Sequence, residues 1–500
     1  MNSSRRESLE EPHLASTGGD VRGSTAVKAT CCILQQTFGP DQLILSDSPL
    51  YAASRSRYWS AQQASVQTVC FLLPKSTHEV QSALKVLLQT RCPFAIRSGG
   101  HTPYAGGSSI HNGITLSLEN MNRVSVSEDR TTVSIGPGCR WLDVYDTLEP
   151  IGLTVVGGRV ASVGVGGLIL GGGISFHSNL HGWACDNVVN FEVVTAGGDI
   201  VNANETTNQD LFWALRGGGN SLGVVTRFDV KAFPQGRMWG GNRYHPLSQS
   251  AKLIQQMIAF GERGVVEDPK ASLIIGFAWT EATGYFSSVS LQHTDADSDS
   301  DSPKVFHGLL NVPEVLGDSC SSRTLSNLTM ELDGISSGDG HKMRQSFWTF
   351  TTYLDENLLS EIVELFVEES KALTHVKGIL SGVGLQVISM GMIKHMTQAG
   401  GNCLGLEGET RPLLLANPSV RWENQDDDRL VLDTYCRFVK RAQECATARG
   451  LGHGFLYKNY ASQFQKANSY GEDNERKLLQ VNMAYDPNGL FRTLVAAHIG

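Results

Sequence analysis

Residues 97–101 read Arg97-Ser98-Gly99-Gly100-His101, and they follow without a break from the short run Phe94–Arg97, which reads as a β-strand. Two consecutive glycines at the end of a strand let backbone N–H groups converge into an anion-binding nest, and a neighbouring Arg complements negative charge. A phosphate-bearing cofactor suits such a turn. Taken alone, the segment reads more simply as a tight turn with an exposed His.

Moving outward changes that balance. A second glycine-rich stretch, Ser162-Val163-Gly164-Val165-Gly166-Gly167, continues to Gly171-Gly172-Gly173, and a third runs Arg216-Gly217-Gly218-Gly219-Asn220-Ser221-Leu222-Gly223. Neither fits the G-x-G-x-x-G dinucleotide pattern, because Ile169 and Leu222 stand where its last glycine belongs, and there is no G-x-x-x-x-G-K-[ST] phosphate loop. Three such stretches within some 130 residues are nevertheless better explained by one cofactor wrapped by all three than by three unrelated turns.

Around them, β and α signals alternate. Strands are expected at Thr68–Leu73, Val133–Ile135 and Val224–Phe233, and helices at Ala26–Phe38, Thr77–Gln89 (capped by Ser76 or Thr77), Trp141–Glu149 and Asp210–Leu215. Val188–Thr195 and Asp199–Val201, joined through Gly197-Gly198, read as a hairpin. The Gly157–Gly173 run reads as neither helix nor strand. Beyond Pro234 the texture changes, with helices expected at Ser250–Phe260, Glu356–Leu373 and Asp427–Ala448 and strands at Ala271–Trp279, Ser287–His293 and Lys304–Asn311. That mixture implies an α+β unit on an antiparallel sheet. The acidic, serine-rich Asp295–Pro303 reads as a mobile loop, and residues 1–25 as a disordered leader.

The chain has 500 residues, too many for one ordinary core, and its net charge of −9 comes without any basic stripe, so nucleic acid is not an expected partner. No segment approaches the ~20 apolar residues of a membrane span, and Met1–Arg22 holds no apolar run of a secretory signal. The expectation is a cytoplasmic protein, against which stand the sequons at Asn204 and Asn327 and ten Cys. No Cys-x-x-Cys occurs and no metal site is expected.

Taken in order, RSGGH, VGVGGLILGGG, GWACDNVV, LFWALRGGGNSLGVVTRF, YKNY and YDPNGLF resemble the FAD-linked oxidoreductases of the berberine-bridge-enzyme-like, vanillyl-alcohol-oxidase-type superfamily, fungal members above all, from about Ala26 to Phe491. The resemblance implies an α+β fold: a two-part, PCMH-type FAD-binding domain (26–235 with a returning segment 455–500) and an inserted substrate domain (236–454) built on an antiparallel sheet covered by helices. It implies FAD bound by Arg97, Ser98, Gly99, Gly100, His101, Ser162, Val163, Gly164, Gly166, Gly167, Gly171, Gly172, Val225, Tyr457 and Asn459, with an 8α bond to His101. Bicovalent members add a Cys near the second glycine stretch; Val160 stands there, so attachment through His101 alone is implied.

By the same resemblance, Tyr460 of the YxNY motif is the catalytic base. A phenol of ordinary pKa near ~10 needs a nearby cation or a flavin hydrogen bond to act as one. Val163 resembles a gatekeeper that admits molecular oxygen, whereas Leu168 stands where plant relatives often place a His. His177 and His181 are further acid–base candidates, although ordinary hydrogen-bonded histidines explain them as well. Cys31 or Cys32 with Cys70 resembles a disulfide of secreted relatives. The implied activity is a two-electron oxidation of a small organic substrate, an alcohol or a polyketide or alkaloid intermediate, with O2 as acceptor and H2O2 as product, in secondary metabolism. Runners-up are a carbohydrate oxidase, for which Trp239, Trp279, Trp348 and Trp422 are candidate groove residues, and a flavin-bearing cyclase or isomerase with no net redox.

Overall fold

The computed structural model describes residues 21–296, 302–338, 340–465 and 469–496, so most of the leader expected over 1–25 and the centre of the acidic loop over 295–303 lie outside the described residues. Among the described residues, three sheets carry the fold. The first has four strands in the order Leu43–Leu45, Cys70–Leu72, Ile114–Ser117, Phe94–Arg97, antiparallel at the first pair and parallel at the other two. Parallel neighbours need crossovers, and helix Thr77–Gln89 supplies one. Its buried residues Val80, Ala83, Leu84, Leu87 and Leu88 recur at helical spacing on one face, and Ser76 caps it by accepting the Glu79 N–H at 3.3 Å.

A second, six-stranded sheet is antiparallel. Its long central strand Val224–Pro234 pairs with Thr132–Ile135 on one side, with Val188–Val194 on the other, and with Leu153–Val155 at its far end. The expected hairpin is present as Val188–Val194 with Ile200–Asn204, Val194 facing Ile200. The third sheet has ten strands, runs from Met238–Pro246 to Gly452–His453, is antiparallel throughout, and is covered by the helices Ser250–Ala259, Glu356–Ser370 and Asp428–Ala448. After it the chain returns to the first sheet, where Val495 forms a parallel bridge to Phe94.

Two expectations fail. Lys304–Asn311 is not a strand but a 3-10 turn, Lys304–Phe306, followed by a helical turn, His307–Leu310. Phe306 and Leu309, three residues apart, then point together into the core, which helical and not strand spacing achieves. Within Gly157–Gly173 a short helix, Val165–Leu170, does form. Burial of Val165, Ile169 and Leu170 outweighs the poor helix propensity of its two glycines. At the other end, the first helix begins at Val21 and brings Cys31, not the exposed Cys32, to 3.2 Å from the Cys70 sulfur.

Arg97 also departs from its expected role. Its guanidinium turns into the protein, 1 % exposed, and binds Glu119 at 3.0 Å, Ser117 Oγ at 3.0 and 3.1 Å and the Ser54 carbonyl at 2.6 Å, between the rings of Tyr58 and Phe71. Four of its five N–H donors are taken up by these protein partners, away from any anion on the glycine loop. Removing one partner of a buried ion pair costs about 3–5 kcal/mol. Arg97→Ala is therefore expected to lower the melting temperature markedly; unchanged melting with lost FAD would instead restore a ligand-binding role.

Candidate active site

The glycine stretches converge because their backbones touch. An added Cβ on Gly99 would lie 2.4 Å from the Gly164 nitrogen, and one on Gly164 would lie 2.3 Å from the Gly99 nitrogen. Ser98 ties the same two loops, its hydroxyl donating to the Pro137 carbonyl at 2.6 Å and accepting the Gly166 N–H at 3.2 Å. The YKNY segment then stitches on the rest. Tyr457 Oη accepts the Gly173 N–H at 3.1 Å, Asn459 Nδ2 donates to the Leu168 carbonyl at 3.0 Å, and Lys458 Nζ donates to the Gly218 carbonyl at 2.9 Å.

Between these loops lies a cavity of about 1090 Å³. That is just above the range of about 300–1,000 Å³ for small-molecule sites, room for a dinucleotide together with a small substrate. Ser98, Gly99, Gly100, His101, Val163, Gly164, Gly166, Gly167, Gly171, Val225, Tyr457, Asn459 and Tyr460 line it, as do Val160 and Leu168. Arg97, Ser162 and Gly172 do not. Ser162 stands behind His101, and Gly172 packs against Leu404 and Trp183. His177 and His181 are also absent from the lining. His177 packs edge-on and His181 at a tilt against Phe233, with His177 Nε2 2.8 Å from Gln235 Oε1.

Several features suit a bound flavin dinucleotide. Gly167 faces the cavity with nothing within 4 Å of where a Cβ would stand. Asn482, which lines the cavity, donates to the Ser221 carbonyl at 3.0 Å, while its buried Oδ1 has no partner among the described residues. A buried acceptor left unpaired is costly, so it is ready for a ligand N–H or O–H. His101 is held down to about 3 by burial and then by the charge of Arg140, so its imidazole is neutral.

At the other end, the Tyr460 hydroxyl accepts from Arg159 Nη2 at 2.8 Å and from Gln386 Nε2 at 3.3 Å, with Phe347 edge-on to its ring. Burial, and then Tyr460 itself, push the Tyr457 phenol up, so Tyr457 keeps its proton. Arg159 and Gln386 went unseen in the sequence reading. Arg159 had a signal, a lone cation inside a glycine and apolar run; Gln386, on the strand Leu380–Ile388 of the third sheet, had none.

A cavity framed by glycine loops, with a neutral His at one point and a cation-paired Tyr at another, is the arrangement of a flavin-dependent oxidoreductase. The profile of the FAD binding domain family matches residues 69–204. The chain is 37% identical over 457 residues to the FAD-dependent monooxygenase tpcD of Cochliobolus heterostrophus, covering 88% of this chain and 86% of the relative. It is 35% identical over 460 residues to the FAD-dependent monooxygenase FUP4 of Fusarium proliferatum, with the same coverage. Among solved structures, berberine bridge enzyme from Eschscholzia californica superimposes with a TM-score of 0.73 at 18% identity, covering 92% of this chain and 97% of the other. The chain belongs to the family of FAD-linked oxidoreductases of these fungal relatives, and it shares with berberine bridge enzyme the fold of a PCMH-type FAD-binding domain combined with antiparallel sheets.

Burial also holds His177 down to about 4, against its hydrogen bond to Gln235, from an ordinary value of 6.5. The unfolded chain therefore takes up that proton first as the pH falls. The stability is fully present above about pH 6.5 and declines toward pH 4, by about 3 kcal/mol from this group. Unfolding measured across that range should be less pH-dependent in His177→Gln than in wild type; parallel curves would contradict the assignment.

Proposed function

We propose that the enzyme is an oxidase that removes two electrons from a small organic substrate and passes them to dioxygen, giving H2O2, with its FAD attached covalently through His101. The observation that carries this reading is the Tyr460 phenol, held at the cavity by Arg159 at 2.8 Å. Bound FAD would supply the two-electron acceptor. Gly99, Gly100, Gly164, Gly166, Gly167 and Asn459 would hold it, and Tyr457 would fix Asn459 through the 3.0 Å hydrogen bond between them.

Carbon-bound hydrogen leaves as hydride only when a neighbouring O–H or N–H gives up its proton. Tyr460 is placed to take that proton. Arg159 and Gln386 keep its oxygen aimed by donating to it. Val163 on the cavity wall is the proposed route for oxygen.

The two fungal relatives carry the word monooxygenase in their names, which supports a second reading in which one oxygen atom enters the product. Labelled dioxygen separates the two: oxidase chemistry leaves the organic product unlabelled. Both readings suit a role in fungal secondary metabolism. None of the four tryptophans named for the carbohydrate reading lines the cavity: Trp239 stacks on Phe306, Trp348 on Phe464, Trp422 is fully buried with its N–H on Asp428, and the half-buried Trp279 packs at a tilt against Tyr285.

Tyr460→Phe keeps the ring and its packing and removes one oxygen. With a substrate identified by peroxide release, the rate of flavin reduction measured by anaerobic rapid mixing is expected to fall about 10²–10⁴-fold, with substrate affinity little changed. An unchanged rate would assign the base elsewhere.

A further inference from the structure

His101 sits in a closed set of contacts. Its ring stacks on Trp59, centroids 4.2 Å apart and planes 15° from parallel. Its Nε2 lies 3.2 Å from Ser162 Oγ. Ser162 donates to Asp333 Oδ1 at 2.6 Å, Ser337 donates to the same oxygen at 2.5 Å, and the Trp59 indole N–H donates to Ser337 Oγ at 3.1 Å. The contacts return to the ring they started from.

Donor accounting fixes the proton on His101. Indole N–H can only donate, and a carboxylate can only accept, so both serine hydroxyl protons point at Asp333. Ser162 Oγ can then only accept from His101. Nε2 carries the hydrogen, and the lone pair is on Nδ1. Asp333 comes from the third sheet's side of the molecule, on helix Leu325–Ser337. That helix is docked on the glycine-loop half by Ser326, whose hydroxyl donates to Asp146 at 2.8 Å and whose N–H donates to Glu149 at 2.6 Å.

We infer that Ser162 and Asp333, braced by Ser337 and Trp59, are positioning residues for flavin attachment: they hold His101 as the Nε2–H tautomer and stabilise the positive charge that develops when Nδ1 forms the bond. The inference rests on the covalent attachment proposed above. In that step a carbon–nitrogen bond forms between Nδ1 and the methyl carbon at flavin position 8. That methyl loses one C–H bond and His101 gives up its Nε2–H proton, which Ser162 can relay to Asp333. The two electrons left on the flavin pass to dioxygen, which with two protons becomes H2O2. In a catalytic triad the acid touches the His and stabilises its cation directly; here Ser162 stands between them and connects His101 to the Asp333 carboxylate. Burial and the Arg140 charge keep the free imidazole neutral, so the lone pair is available.

The test follows covalent flavin directly, as flavin retained in the acid-precipitated protein pellet over time after FAD is added to freshly purified enzyme in air. Wild type and His101→Ala establish attachment itself; wild-type flavin that washes out would sink the underlying reading and this one with it. Given attachment in wild type, Ser162→Ala and Asp333→Asn should stay folded and bind FAD, yet attach it about 10²-fold more slowly, the lower end of what a positioned acid–base group contributes. Ser162→Thr, which keeps the hydroxyl, should restore the rate, and a purely structural role would not sort the variants in this way. The flavinyl-histidine isolated from wild type should be bonded at Nδ1. Attachment at the wild-type rate in both Ser162→Ala and Asp333→Asn, or a bond at Nε2, would overturn the inference.

Discussion

Two loops separated by more than sixty residues meet at Gly99 and Gly164 with no side chain between them, and the active site depends on that meeting. A methyl group on either would sit within 2.4 Å of the other's backbone, far inside van der Waals contact, so the approach is open only to glycine. Because it occurs, the strand Phe94–Arg97 of the first sheet and the helix Val165–Leu170 deliver their ends to one wall of one cavity. His101 and Ser162, each within three residues of the contact, then come within hydrogen-bonding distance of one another.

The opposite wall arrives from the far end of the chain. Tyr457, Lys458 and Asn459 bind the backbones of the second and third glycine stretches, and their neighbour Tyr460 is thereby fixed between Arg159 of the glycine-rich run and Gln386 of the ten-stranded sheet. Cofactor-facing backbone and substrate-facing side chains thus come from different sheets. The chemistry happens at their seam, where the ten-stranded sheet and its helices contribute a proton-handling environment (Gln386, Asp333) to a cavity otherwise built by the glycine loops.

Much of this was legible in the sequence where local pattern dominates. The glycine stretches, the YKNY segment, helix Thr77–Gln89 and the hairpin around Gly197-Gly198 are each specified by residues adjacent in the chain. What escaped depends on distant partners. The strands Met238–Pro246 and Leu380–Ile388 mix glycine, polar and apolar residues without clean alternation, because both lie inside a wide sheet with much of both faces buried. Arg97 looked like an anion ligand because it precedes the glycines, but alternation along its strand turns it toward Glu119 and Tyr58. Asp333 and Gln386 carry no motif, and only the tertiary fold brings them to His101 and Tyr460.

The central claim is that the Gly99–Gly164 contact makes the flavin site, and Gly164→Ala tests it most directly. Gly164 has φ −74° and ψ 143°, an extended conformation that alanine adopts freely, so the obstacles to the substitution are the Gly99 backbone and the neighbouring Ser98 hydroxyl. Made in a His101→Ala background, where flavin retention reports binding alone, the substitution should leave a folded protein whose FAD affinity is lower by about 10- to 100-fold. That is the equivalent of about 1–3 kcal/mol of overpacking. FAD titrated by fluorescence quenching gives the number, and wild-type affinity in the Gly164→Ala protein would contradict the account.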